Sequence, residues 1–83
     1  MKYRVRAEVS LKPGHSDPEG ETTKQSLLEL NYPVKSISVS KLYTIHLEAP
    51  SLTNAKRIVN EICMRLLANP VKDNFRFEIE EEK

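Results

Sequence analysis

Few side chains in this 83-residue chain have the type and spacing to do chemistry. His15 and His46 are far apart and lack a carboxylate motif such as HExxH, so they are a poor pair for a metal. His15 reads as a surface residue of a Gly/Pro loop, and His46, between Ile45 and Leu47, reads as a solvated or interface residue rather than a catalytic base. Cys63, the single cysteine, has no partner for a disulfide or a CxxC motif, and its place beside Ile62 and four residues after Val59 reads as a small buried core residue. The densest special chemistry lies in Lys12-Pro13-Gly14-His15-Ser16-Asp17-Pro18-Glu19-Gly20, which holds both glycines. It lacks GxGxxG and GxxxxGK[ST], and Asp17 and Glu19 stand where a helix N-terminus would otherwise hold a phosphate. As local structure, Pro13-Gly14 makes a turn and Asp17-Pro18 caps and starts a helix. Gly20 is left over. Inside a helix it costs about 0.5–1 kcal/mol relative to alanine, which points to another backbone coming close.

The elements that carry these residues follow from period. Lys2 to Leu11 alternates, with Tyr3, Val5, Ala7, Val9 and Leu11 apolar, as a half-buried strand does. A helix is expected from Pro18 to Leu30, with a thin apolar set of Thr23, Leu27, Leu28 and Leu30, closed by Asn31-Tyr32-Pro33. Ile37 and Val39 alternate with serines, and Tyr43, Ile45, Leu47 and Ala49 alternate with Thr44, His46 and Glu48, giving two further strands. The join at Ser40-Lys41-Leu42 has no Asn-Gly or Asp-Gly signal and the parity continues through it. One long bent strand is therefore the alternative to the hairpin adopted here. Ala55, Ile58, Val59, Ile62 and Leu66 mark one face of a second helix ended by Asn69-Pro70. Phe75, Phe77 and Ile79 alternate with Arg76, Glu78 and Glu80 in a last strand.

The order β-α-β-β-α-β predicts an α+β fold, one domain over residues 1–83, with a four-stranded antiparallel sheet and both helices on one face. Its first and last strands would be antiparallel neighbours, bringing Arg4 and Arg6 near Glu78 and Glu80. The expected core is Tyr3, Val5, Val9, Ile45, Leu47, Ile58, Val59, Ile62, Leu66, Phe77 and Ile79. Thirteen Lys and Arg against twelve Asp and Glu leave a net charge of +1, which lacks the strongly basic face of a nucleic-acid binder. The open face offers no stacking aromatics for RNA either. No apolar run approaches the roughly 20 residues of a membrane span, and the alternating N-terminus is unlike a signal peptide, so the expected location is cytoplasmic, away from membranes. A core this small, with sheet edges to cover, predicts a homo-oligomer, paired through the segment from Ile37 to Lys41.

Lys12-Pro13-Gly14 followed by Asp17-Pro18-Glu19-Gly20, the strand junction at Lys41, and Leu67-Ala68-Asn69-Pro70-Val71 after the second helix resemble the PurS family, the small subunit of phosphoribosylformylglycinamidine synthase. The likeness spans nearly the whole chain, and Ser40 departs from the glycine expected before Lys41. The resemblance implies a subunit with no catalytic, cofactor or metal site of its own. ATP, magnesium and glutamine are used by the complex, in which a synthetase subunit binds the nucleotides and a glutaminase subunit releases ammonia. The small subunit, a dimer or tetramer, joins the two and supports ammonia transfer. Gly14, His15, Asp17, Gly20 and Lys41 are the candidate partner interface. The alternative reading is a small ligand-binding regulatory domain of similar topology.

Overall fold

The computed structural model describes residues 1–83. The long alternating stretch forms β1 (Lys2–Leu11), and after a loop α1 runs over Pro18–Glu29. β2 spans Lys41–Glu48, α2 spans Leu52–Ile62, a π-helical turn covers Cys63–Leu67, and β3 spans Asp73–Glu82. The strands pair antiparallel in the order β2-β1-β3, so β1 is central. Arg4 lies opposite Glu80 and Arg6 opposite Glu78, as the charge pattern predicts.

The apolar face of the sheet carries the core. Val5 and Ala7 pack with Val59 and Cys63, flanked by Tyr43, Ile45, Leu47, Phe75, Phe77 and Ile79. Tyr3 packs with Ala49 and Ala55. α2 supplies this stripe because Ala55, Val59 and Cys63 recur every four residues, and the Ser51 hydroxyl caps its start by accepting the Asn54 N–H.

Two expectations are corrected. The sheet has three strands, in a β-α-β-α-β order, because Ile37 and Val39 join no ladder. Residues 32–40 instead run as an extended strap back along the start of α1, where Asp17 Oδ2 accepts the Val39 N–H at 2.8 Å. With its strap held there, the chain enters β2 at Lys41 without a turn, and no hairpin forms. Nor do both helices cover the sheet: α1 contributes no side chain to either apolar cluster, and its one buried residue is Gly20. α1 and the strap make an arm that leaves and rejoins the sheet at one end, where Val9 pairs with Lys41. The Cα envelope is accordingly 52 × 29 × 14 Å with a radius of gyration of 16.5 Å, against about 12 Å for a compact domain of this length. Leu66 is corrected too. The π turn, closed by Ala68 N–H to Cys63 C=O at 2.9 Å, inserts an extra position into the helical repeat. Leu67 therefore turns to the core and Leu66 is 81% exposed.

Candidate functional site

The root of the arm is built by one carboxylate. Asp17 is the N-cap of α1: its Oδ1 accepts the Gly20 N–H at 2.9 Å while Oδ2 accepts the Val39 N–H. These two donors hold the Asp17 carboxyl below the usual aspartate range, the Gly20 bond contributing most. Gly20 is buried because the strap crosses directly over it. A methyl group at that position would stand 2.5 Å from the Ile37 carbonyl oxygen, closer than such atoms approach. The close backbone inferred from the leftover glycine thus lies within the chain itself. Gly14 has a φ of +88°, which a glycine adopts freely, and it turns the chain from β1 toward α1 with open space around it. The far end of α1 closes in a Schellman motif. Asn31 takes a left-handed φ of 69°, its N–H donates to Leu28 C=O, and Tyr32 N–H donates to Leu27 C=O.

His15 is exposed in this loop, and Lys41 is exposed where the strap meets β2. The five candidate residues therefore gather at one end of the sheet, but in two roles. Asp17 and Gly20 hold the arm's geometry, while His15, Gly14 and Lys41 face outward. An open groove beside them is lined by Asp17, Glu19, Ser40, Lys41, Lys72 and Asp73, charges of both signs with no histidine or cysteine among its lining residues. The Leu67-to-Val71 motif forms the neighbouring turn: Asn69 Oδ1 accepts the Val71 N–H at 2.9 Å and Asp73 Oδ2 accepts the Asn69 N–H at 2.8 Å. Lys12 ties it to β1 through its own N–H to Lys72 C=O at 2.7 Å and its Nζ to Pro70 C=O at 3.0 Å.

Elsewhere the chemistry is structural. Cys63 is buried, and burial raises its thiol pKa, so it behaves as a small apolar residue. His46 pairs with Glu82 on the solvated face of the sheet, beside the Arg4–Glu80 and Arg76–Glu8 pairs. No group of three His, Cys, Asp or Glu residues is placed to hold a metal, and no helix is long and apolar enough to cross a membrane. Sequence reasoning missed the strap. Its signal was the acceptor Asp17 followed at a distance by a serine-flanked stretch with no turn to fold it back.

Comparison with known proteins adds the family. The family model for PurS, described as phosphoribosylformylglycinamidine (FGAM) synthase, matches residues 4–81. The phosphoribosylformylglycinamidine synthase subunit PurS of Archaeoglobus fulgidus is 45% identical over 64 residues, covering 76% of this chain and 80% of that one. Among solved structures, Thermus thermophilus PurS superposes with a TM-score of 0.88 at 30% identity, each chain fully covered. A chain of PurLQS from Thermotoga maritima superposes with a TM-score of 0.80 at 30% identity, covering 99% of both.

Proposed function

The chain belongs to the PurS family of phosphoribosylformylglycinamidine synthase subunits, and on that premise we propose that it acts, as a single domain, as the non-catalytic subunit that joins a glutaminase to an ATP-dependent synthetase. In this role it is cytoplasmic, associates with further copies of itself, and holds the two larger subunits so that ammonia passes between them without loss to water. ATP, magnesium and glutamine are bound by the partners. The observation that carries the reading is the likeness, over 99% of both chains, to a chain of PurLQS.

The outward residues at the arm root, Gly14, His15 and Lys41, are the contact surface in this reading. Asp17 and Gly20 contribute by fixing how the arm is presented.

Reconstitution tests the proposal. The two larger subunits should make product from free ammonia without this chain but depend on it when glutamine is the nitrogen source. Glutamine-driven turnover at full rate in its absence, or glutamine hydrolysis by the chain alone, would sink the reading.

A further inference from the structure

The outer edge of β3 is free, and its backbone, its apolar side chains and its charges fit one kind of occupant. Lys12 donates its N–H to Lys72 C=O at 2.7 Å, and the β1–β3 register continues that pairing, with Ser10 opposite Asn74, Glu8 opposite Arg76 and Arg6 opposite Glu78. Even-numbered residues of β3 therefore turn their N–H and C=O groups toward β1, and the odd-numbered Phe75, Phe77, Ile79 and Glu81 turn theirs outward. β1 is the only strand beside β3, so this outward row is unpaired, the kind of edge that templates another strand. Phe75, Phe77 and Ile79 pack against the core but stay partly exposed along it. At the start of β3, Met64, Ala68, Pro70 and Phe75 help line an open groove of about 410 Å³, and Met64 is 59% exposed. Toward the other end, Glu78 and Glu81 make no ion pair, whereas Glu80 and Glu82 are matched by Arg4 and His46.

We propose that this edge receives, by strand addition, an extended segment of a larger subunit of the complex, one in which apolar and basic residues alternate. The proposal rests on the joining role above and adds a second contact surface to the arm root. Main-chain bonds to Phe75, Phe77 and Ile79 supply the affinity, and side chains on alternate sides supply the selection. On the apolar face, the segment's apolar side chains continue the row of Phe75, Phe77 and Ile79, and the one nearest the start of β3 enters the groove at Met64. On the polar face a Lys or Arg meets Glu78, and a second at the segment's end meets Glu81. Another copy of β3 is a poor occupant. Every two-fold centre from Arg76 to Ile79 sets like charges opposite each other: Arg76 or Glu78 against itself, Asp73 against Glu81, or Glu78 against Glu80.

Amide hydrogen exchange in the assembled complex tests it. In the chain alone, the amides of Arg76, Glu78 and Glu80 face β1 and should be protected, while those of Phe75, Phe77 and Ile79 should exchange quickly. With the synthetase and glutaminase subunits added in turn, one of them should slow the three odd-numbered amides more than about tenfold. Met64→Arg changes an exposed side chain, so the chain should unfold at the same urea concentration. By blocking the groove it should nevertheless raise the dissociation constant for that subunit more than about tenfold. Glu81→Lys should also weaken binding, and less so in high salt. A complex that makes product from glutamine while the Phe77 and Ile79 amides stay fast, or that binds Met64→Arg unchanged, overturns the docking and leaves the joining role standing. Protection that grows with the concentration of the chain alone gives the edge to a second copy and overturns the docking as well. Failure of the chain to bind either larger subunit overturns both.

Discussion

Asp17 reaches across 22 residues of sequence to accept the Val39 N–H at 2.8 Å, and that bond ties the returning strap to the start of α1. The same carboxylate caps α1 through Gly20 at 2.9 Å, so one side chain starts the helix and holds the returning strap against it. The pairing has a defined pH dependence. A carboxylate whose folded-state pKa is depressed by two backbone donors stabilises the fold above the ordinary aspartate value of about 4 and loses that contribution as pH falls through the lowered value. Asp17→Asn offers one acceptor oxygen to two donors. In the variant, hydrogen exchange at the Val39 amide should quicken at neutral pH while the amides of Val5 and Ala7 keep their protection, and the acid-side loosening of the strap should vanish. Unchanged exchange at Val39 would show that Asp17 does not hold it.

Gly20→Ala should destabilise the chain, although alanine is the better helix former by about 0.5–1 kcal/mol. The added methyl group meets the Ile37 carbonyl oxygen at 2.5 Å, and that atom is backbone, which cannot rotate aside. Overpacking of this kind costs about 1–3 kcal/mol, so the net change in urea unfolding is a loss of about 1–2 kcal/mol. A stabilised variant would mean that the strap lifts off α1 freely.

The core and the π turn make a paired prediction. Val59, on α2, is fully buried against the sheet, whereas Leu66 is 81% exposed. Val59→Ala should cost about 1–4 kcal/mol by leaving a cavity, and Leu66→Ala less than about 0.5 kcal/mol, as surface changes do. Equal costs would place Leu66 back in the core.

Much of this was legible in the residues. Strict alternation gave β1, β2 and β3, because a sheet with one face buried forces period two. The stripe from Ala55 through Val59 gave α2, and the Arg and Glu positions gave the register of the outer strand. What failed were features decided by tertiary contact. Nothing local tells Ile37 and Val39 that their hydrogen bonds go to a helix cap rather than to a strand. The stripe on α2 continues to Leu66 at ordinary helical spacing, and only the extra residue of the π turn moves Leu67 and Ala68 inward. For the candidate site, the glycine at Gly20 correctly signalled a close backbone, but its period could not say whose. The thin apolar set of α1 was the clue that this helix does not cover its own sheet.

The Arg4–Glu80 pair tests what the charged face contributes. The two residues lie directly opposite in the β1–β3 ladder and form an ion pair, and both are exposed. Water screens such a pair and the two long side chains lose freedom in making it, so a double-mutant cycle should return a coupling below about 1 kcal/mol that shrinks further in salt. Glu80→Lys alone sets like charges against each other and should cost a similar small amount, which Arg4→Glu on the same chain should restore. The pair's larger effect is on register. A one-residue slip of β3 would carry Phe77 and Ile79 to the solvated face and Glu78 and Glu80 to the core, and the facing arginines favour the arrangement in which neither happens. A coupling well above that limit would show instead that this face is covered and desolvated in the protein as measured, which the exposed geometry of both side chains argues against.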